Sequence, residues 1–303
     1  MDEIWLRANS WRSLCAAAWF FCVPALAVAQ DPATPQDKPI GEAPEERPAD
    51  DIFLRGQRVL LARGDVVVDL GQFYTRSDDL QLALVNDAVA LATQEQTFLT
   101  SVAVGRVGIG AETEIFAATS FTFQRNRLVV GGTDLASQER SQLGDIGLGV
   151  RHTFLREGAG RPDVIATLDA QVSTHDNPYV VGGGLVFVKS IDPVVLFAGV
   201  NYHRSLRRDR PDGTRLEPGN SADVSLGYGL ALNDTLAIST AASGAFIRTA
   251  AVQGASRRVD LFSLRFALTS ALARGLYIEP SMSIGLGGPG QSFAFGLTVP
   301  YSF

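Results

Sequence analysis

The last twelve residues constrain the fold of this chain more than any other stretch. Counting back from the C-terminus, large apolar residues take every second position, and small or polar residues lie between them: Phe303, Tyr301, Val299, Leu297, Phe295 and Phe293 against Ser302, Pro300, Thr298, Gly296, Ala294 and Ser292. Alternate side chains of a strand point to opposite faces, so this segment predicts a strand with one aromatic-rich face. Such a face must be buried, either by lipid around a membrane β-barrel or by the core of a soluble β-sandwich.

Composition favours many strands. The chain has 303 residues, of which 46% are apolar, 30 are glycine and 19% are charged. No segment of the expected mature protein approaches the roughly 20 consecutive apolar residues of a membrane-spanning helix. The net charge of -6 and the lack of a basic tract disfavour nucleic acid as a partner.

The N-terminus has the pattern of an export signal. Arg7 and Arg12 form a positive region, residues 14–26 form a short apolar run, and Ala-Val-Ala at 27–29 gives a small-residue cleavage pattern. We therefore predict a signal peptide over residues 1–29.

The segment after the signal peptide is polar. Both cysteines, Cys15 and Cys22, fall within the signal peptide, so the mature protein is predicted to lack disulfides and thiolate metal sites. Residues 30–51 are rich in Pro, Glu and Asp, which predicts disorder. Residues 52–63 are more apolar and fit a short helix, a plug fragment or the approach to the first strand. The predicted organisation is a periplasmic lead-in over 30–63, with a partial plug as one interpretation, and a transmembrane barrel over 64–303.

From Gly64 onward the sequence predicts twelve strands, and the connections between them alternate in length. The short turns are centred near Gly108, Gly158, Asp192, Asn233 and Arg274. The longer polar connections are centred near Gln81, Gly131, Asn177, Pro211 and Gly254, with residues 288–290 as a short exception. Outer-membrane barrels show this alternation between periplasmic turns and outer loops, and a soluble sandwich has no reason to show it. The predicted fold class is therefore all-β, a single transmembrane antiparallel β-barrel of about 12 strands of the outer-membrane type.

The two faces of the predicted strands support the same architecture. One face is persistently Leu, Val, Ile and Phe, and the other is Gly, Ser, Ala and Thr with occasional charges, which is the pattern of a barrel with lipid outside. Aromatic residues fall near strand ends, where interfacial girdles are expected: Tyr74, Tyr202, Tyr228, Tyr301 and Phe303. Pro280 lies within a strand on the lipid-facing side, and we expect a β-bulge there.

Several segments resemble one known family of outer-membrane proteins, that of the meta-pathway of phenol degradation. The similar stretches are GDIGLGVRHTFL at 144–155, RPDVIATL at 161–168, FLR at 53–55, GDVVVD at 64–69 and KSIDPVVLF at 189–197. The family is related to the secretion channel for functional amyloid, whose members carry a longer N-terminal helical region. The resemblance implies a twelve-stranded barrel and a transport-like role, with hydrophobic or aromatic compounds as the solutes. It supplies no catalytic residues.

Eight ionisable residues fall on the predicted lumen face: Asp69, Glu114, Asp145, Arg151, Asp169, Asp223, Arg265 and Glu279. Ionisable groups inside a membrane barrel are costly unless they are hydrated or paired. They therefore mark either an aqueous channel or a salt-bridge network that fills a narrow lumen, since twelve strands lie between the filled barrel of eight and the open barrel of sixteen. If the lumen is open, the excess of acidic groups predicts a mild preference for cations.

Two outer connections are candidates for further roles. The segment 204–215 holds five arginines, which predicts either contact with lipopolysaccharide phosphates or a solvated loop. The unusually apolar segment 80–92 either extends the first hairpin beyond the membrane or folds inward as a gate.

An enzymatic function is disfavoured. Twelve-stranded outer-membrane phospholipases carry a His-x-Ser pair followed by Asn-Gly, and here His203 and Ser205 match only the first part. His152 has no nucleophile two residues later, and His175 is isolated in a loop. We predict no catalytic residues, no metal site and no cofactor.

Taken together, the sequence predicts an outer-membrane channel of a Gram-negative bacterium that passes small molecules, as a monomer or a trimer. The alternative is a structural or secretion-associated barrel without an open pore. The expected partners are outer-membrane lipid, lipopolysaccharide, small solutes and the barrel-assembly machinery. Tyr301 and Phe303 are the predicted assembly signal for that machinery.

Overall fold

The chain forms antiparallel strands because nearly every segment after residue 65 alternates between large apolar and small or polar side chains. The predicted signal peptide and the lead-in up to residue 59 lie outside the described residues, as do His175 and Arg210. The described residues contain no helix that is long and apolar enough to cross a membrane. The computed structural model describes residues 60–85, 88–174, 178–209, 215–216, 219–248, 258–287 and 291–303.

Fifteen strands are found in these ranges. They are β1 (Val66–Val85), β2 (Ala88–Gly110), β3 (Thr113–Val130), β4 (Thr133–Leu143), β5 (Ile146–Leu155), β6 (Asp163–Val172), β7 (Val180–Ile191), β8 (Val194–Ser205), β9 (Arg208–Asp209), β10 (Arg215–Leu216), β11 (Asn220–Asn233), β12 (Leu236–Arg248), β13 (Arg258–Ala273), β14 (Leu276–Gly287) and β15 (Gln291–Ser302).

The main sheet closes on itself. Each strand pairs antiparallel with its neighbours in chain order, and β1 pairs with both β2 and β15, so no edge remains around the wall. Strands β4 and β5 both pair with β3 and occupy one position, interrupted at Gly144 and Asp145. The thirteen-stranded sheet therefore has twelve wall positions, and the predicted twelve-stranded antiparallel barrel is confirmed. Strands β9 and β10 form a separate small hairpin.

The two ends of the barrel differ. We call the end that holds residue 65 and the C-terminus the turn end, and the opposite end the loop end. Four connections at the turn end span two residues each, which confirms four of the five predicted short turns. Gly275 in one of them has a φ of 75°, a conformation that residues with a side chain rarely adopt. The fifth predicted turn, near Gly158, spans residues 156–162 and is as long as the loop-end connection 173–179. The longest connection between wall strands, residues 206–219, lies at the loop end.

At the loop end, β1 to β4 continue beyond the rest of the wall. The β1–β2 ladder runs to the pair Val85 and Ala88, so the apolar segment 80–92 extends the hairpin and does not fold inward. The prediction of a long polar connection near Gly131 is wrong, because β3 and β4 form a hairpin that turns at Gly131 and Gly132, both with positive φ. Strand β4 has no apolar alternation because almost all of its residues are exposed on both faces.

The outward face is apolar and exposed. Leu168 and Leu226 are each 66% exposed, whereas Ile165 and Val188 on the inward face are 3% and 2% exposed. The buried core lies inside the barrel at the turn end, formed by Ile165, Val186, Val188, Val195 and Ala237. A broad apolar outer surface is the reverse of a soluble protein and is the arrangement of a barrel surrounded by lipid.

The predicted bulge at Pro280 is wrong. Pro280 pairs with Leu297 of β15, and the register of β14 is the same on both sides of it. The pairing with β13 skips two positions and resumes unchanged at Ser270 and Ile278. The missing N–H of proline therefore opens a local gap in one ladder without inserting a residue.

Candidate functional site

The inward face above the core consists mainly of small side chains. Serine, glycine and alanine occupy most inward positions of β11 to β15, including Ser225, Gly227, Ser243, Ser263, Ser281, Ser283, Ala294 and Gly296. Among them Arg265 points inward and its side chain is 46% exposed. An inward arginine with this exposure indicates that water reaches the middle of the barrel, because an unhydrated guanidinium would be buried and fully paired.

A buried ion pair lies inside the barrel near the turn end. Glu114 on β3 has no exposed surface, and its Oε1 accepts a hydrogen bond from Nη1 of Arg151 on β5 at 3.0 Å. The guanidinium of Arg151 also lies over the ring of Phe116, 4.7 Å from the ring centroid, in a cation–π geometry. The second oxygen of Glu114 accepts a hydrogen bond from the backbone N–H of Leu61 at 3.2 Å.

Residues 60 and 61 therefore lie inside the barrel at this end, where they are partly buried, whereas residues 62–65 are exposed. Leu60 packs against the apolar core, and the backbone of Gly64 donates a hydrogen bond to the carbonyl of Gly108 at 2.8 Å. A Cβ at Gly108 would overlap the carbonyl oxygen of Ala62, so only glycine permits this approach. We call residues 60–65 the strap.

Two further ion pairs brace the inward face. Asp69 on β1 lies 3.1 Å from a guanidinium nitrogen of Arg106 on β2, and both side chains are largely buried. Arg265 on β13 lies 2.9 Å from Oε1 of Glu279 on β14, whose other oxygen accepts a hydrogen bond from the hydroxyl of Thr269.

A third cluster surrounds His203 on β8. Its Nε2 lies 3.2 Å from Oδ2 of Asp169 on β6, and its Nδ1 lies 3.7 Å from Oδ2 of Asp223 on β11. The ring adjoins a cavity of about 190 Å³, which has an apolar side of Phe116, Ile165 and Val186 and a polar side of Arg151, Thr167, Asp169, Asn201 and His203. A void of this size can hold one small organic molecule.

Seven of the eight predicted lumen residues take part in these contacts. Asp145 does not, since it lies at the loop end between β4 and β5, where it accepts a hydrogen bond from the backbone of Thr174 at 3.4 Å. Arg106 and His203 join the seven, giving what we call the inner charge network: Asp69, Arg106, Glu114, Arg151, Asp169, His203, Asp223, Arg265 and Glu279. Arg106 escaped the sequence prediction because β2 runs to Gly110, whereas the sequence predicted a turn centred near Gly108.

The candidate catalytic pair is occupied by structural contacts. His203 faces the two aspartates, while the hydroxyl of Ser205 donates to the carbonyl of Gly219 at 3.1 Å and accepts from its N–H. Within the described part of the chain, no group of three or more His, Cys, Asp or Glu side chains could hold a metal ion.

Ion pairs also cover the outward face at the loop end, which the sequence reading missed. Arg76 pairs with Asp78 and Glu95, and Arg127 pairs with Glu95 and Asp134. Arg76 is the next outward residue of β1 after Tyr74, whose ring contacts Phe293 on β15. Aromatic residues thus mark the edge of the apolar band, and charges begin directly beyond them. Of the arginines predicted to bind phosphate at 204–215, Arg204 and Arg207 lie within the described side chains.

A closed antiparallel barrel with an apolar outside and a charged, partly hydrated inside is a barrel of the outer-membrane type. The solved structures that share this fold include the following two. An outer-membrane channel from Pseudomonas putida F1 is similar with a TM-score of 0.57 at 12% identity, covering 82% of this chain and 98% of that chain. The translocator domain of the autotransporter NalP from Neisseria meningitidis is similar with a TM-score of 0.51 at 11% identity, covering 80% and 90%.

At these identities the likeness shows the fold alone. No family model matches the sequence. The resemblance to the family of the meta-pathway of phenol degradation therefore stays a prediction.

Proposed function

We propose that the protein is an outer-membrane channel for small solutes, closed at the turn end by its own strap. The observation that carries the proposal is the contrast between Arg265, inward and 46% exposed, and Glu114, inward with no exposed surface. The exposure of Arg265 indicates a hydrated space in the middle of the barrel, which we call the vestibule. Glu114 lies nearer the turn end, where the strap and the apolar core fill the barrel.

The orientation of the barrel in the membrane can be inferred from the differences between its turn end and its loop end. Four two-residue turns, the strap and the C-terminus lie at the turn end, and the end with short turns faces the periplasm in outer-membrane barrels. The loop end, with its extended hairpins, then faces outward. The ion pairs around Arg76 and Arg127 lie directly beyond the aromatic edge of the apolar band, so we propose that this outward surface contacts the charged groups of lipopolysaccharide.

The strap fits the partial-plug interpretation of the lead-in. The contacts that hold it to the barrel include the packing of Leu60 against the core and several backbone hydrogen bonds, among them the one from Leu61 to Glu114. A short contact of this kind has low local stability compared with a wall strand. Withdrawal of the strap would connect the vestibule to the periplasmic side without any change in the wall.

The class of solute rests on size and on the resemblance. The cavity beside His203 holds a molecule about the size of a single ring, with apolar contacts on one side and hydrogen-bonding groups on the other. Small aromatic or hydrophobic compounds with one polar group fit these dimensions. The related fold of the channel from Pseudomonas putida F1 supports a role in permeation.

Liposome swelling tests the proposal. The mature protein and a variant that lacks residues 30–63 are reconstituted and compared for uptake of small neutral solutes of increasing size. We expect uptake with a size cut-off, and faster uptake by the variant. Lack of uptake by both proteins, in preparations that show the heat-modifiable gel mobility of a folded barrel, would favour a structural or secretion-associated barrel instead.

A further inference from the structure

His203 bridges two carboxylates that come from different strands. Asp169 lies on β6, two strands before His203 in the order of the wall, and Asp223 lies on the adjacent β11. The imidazole therefore reaches across the whole width of β7 to contact Asp169. Such a reach requires the ring to lie flat against the backbone of the strand between.

Strand β7 provides the room for this geometry. Its residue opposite His203 is Gly182, and a Cβ there would overlap Cδ2 of the imidazole. Two residues later, a Cβ at Gly184 would overlap Oδ1 of Asn201. The glycines of β7 thus let two polar side chains of β8 lie across it. The imidazole ring lies between the carboxylates because β8 has histidine at position 203 and β7 has glycine at position 182 opposite it.

No fixed cation occupies this part of the inner charge network. Every other carboxylate of the network has an arginine as its ion-pair partner: Asp69 has Arg106, Glu114 has Arg151 and Glu279 has Arg265. Among the described residues, Asp169 and Asp223 have only His203. The five carboxylates and three arginines of the network leave two negative charges when His203 is neutral, and one when it is protonated.

The groups that face the ring are few. From β6 and β11 they are Asp169 and Asp223, and across the cavity from β5 comes Arg151, itself paired with Glu114 of β3. The facing residues of β7 are Gly182 and Gly184, which carry no charge. Protonation of the imidazole adds one positive charge between the two carboxylates, so the net charge of this cluster depends on the protonation state of His203.

We propose that His203 sets the charge selectivity of the lumen. With the imidazole neutral, the carboxylates of Asp169 and Asp223 attract small cations to the hydrated part of the barrel. With the imidazole protonated, its charge offsets one of them and the attraction for cations falls. The proposal rests on the proposed channel function and assigns to one residue the control of which ions pass.

Reversal potentials in planar bilayers under a KCl gradient test it. For the wild-type protein we expect the permeability ratio of K⁺ to Cl⁻ to fall roughly two- to fivefold between about pH 8 and about pH 5, from one added charge near the ion path. His203→Gln, which is neutral throughout, should keep the high ratio at both pH values. His203→Arg should show the low ratio at both.

The matched control is His152→Gln. His152 lies at the turn end of β5, where its Nδ1 is 2.9 Å from the hydroxyl of Thr113 on the outward face, so its loss should leave the pH dependence intact. Asp223→Asn provides a second variant if a substitution of His203 prevents folding, with a lower ratio expected at about pH 8.

The outcomes separate this proposal from the one on which it rests. A conducting channel whose selectivity does not depend on pH, or whose pH dependence persists in His203→Gln, would overturn the role of His203 and leave the channel in place. Absence of conductance at every pH, in the wild type and in a variant lacking residues 30–63, would overturn both.

Discussion

The backbone N–H of Leu61 donates a hydrogen bond of 3.2 Å to the fully buried carboxylate of Glu114. This contact joins the lead-in to the wall and links the strap to an ion pair, because the other oxygen of Glu114 binds Arg151. One carboxylate thus satisfies a backbone donor and a guanidinium that would otherwise lie in the lumen without partners. Closure of the turn end and cohesion of the wall depend on the same side chain.

Replacement of Glu114 by alanine should destabilise the barrel. It leaves the charge of Arg151 largely buried without its counterion, a change that costs on the order of 3 kcal/mol. Glu114→Gln should cost less, since the amide oxygen still accepts a hydrogen bond. Urea unfolding of the reconstituted protein, followed by far-UV circular dichroism, measures the free energy of unfolding of both variants. Asp145→Asn at the loop end is the matched control, and equal stability of Glu114→Ala and this control would contradict the role of the pair.

The turn between β5 and β6 should stabilise the protein in a pH-dependent way. Burial raises the pKa of Glu157, but hydrogen bonds from the side chain of Lys189 and the backbone N–H of Ser190 outweigh it, so the pKa lies below its ordinary value. A carboxylate with a lowered folded-state pKa stabilises above its unfolded pKa, and the contribution is lost as the pH falls through the folded value.

Glu157→Gln should therefore reduce the free energy of unfolding at neutral pH by about 0.5 kcal/mol, because the pair is partly exposed. The difference from wild type should vanish at acid pH, below the ordinary range of glutamate. Urea titrations at both pH values measure it. A difference that persists unchanged in acid would show that the carboxylate charge of Glu157 is not its cause.

Deletion of Phe303 should impair assembly more than stability. Phe303 is 75% exposed and contacts Tyr301 edge-on, with ring centroids 4.7 Å apart. Its deletion removes this contact and one backbone hydrogen bond, which its N–H donates to the carbonyl of Val66, so the folded wall loses little. If the terminal aromatic is read by the assembly machinery, outer-membrane levels in cells should fall while refolding of the purified protein into detergent is normal. Thr298→Ser on the inward face of the same strand is the control. Normal outer-membrane levels of the deletion variant would remove the proposed signal.

Shortening of the β1–β2 hairpin should leave the barrel intact. Strand β15 pairs with β1 only as far as Asp78, so the ladder beyond this residue joins β1 to β2 alone. A variant in which residues 80–93 are replaced by a two-residue turn should keep the heat-modifiable mobility and the conductance of the wild type. A closed or unfolded variant would show that the extension has a role in the wall.

The strands of the wall could be predicted from the sequence because alternate residues face lipid and the lumen, and lipid favours apolar side chains whereas the lumen favours small or polar ones. Period two, turn spacing and the aromatic C-terminus of β15 were enough to predict it. Strand β4 was missed because it contacts neither lipid nor core, so nothing imposes apolar alternation on Thr133–Leu143. Pro280 was expected to distort β14, yet the neighbours keep the register on both sides.

The ion-pair partners on the inward face of the wall were harder to predict from the sequence. The alternation of faces along each strand placed Glu114 and Arg151 on the same face of the wall. Which carboxylate pairs with which arginine depends on the stagger between neighbouring strands, and the sequence of a single strand does not contain that information. The hydrogen bond from Leu61 to Glu114 joins residues that are 53 positions apart and involves a backbone group without sequence character. The need for glycine at position 182 cannot be predicted from the sequence, because it arises from the ring of His203, which lies across this residue from another strand.

Single-channel conductance of the wild type and of Leu60→Asp tests the central claim most directly. Leu60 packs against the apolar core inside the barrel, and a carboxylate at this position would be driven out of it, releasing the strap while the wall stays paired. We expect Leu60→Asp to be open for a larger fraction of the time than the wild type, and Leu60→Met to be close to wild type. Identical records for Leu60→Asp and wild type, or bilayers silent with both, would contradict a lumen closed by residues 60–65.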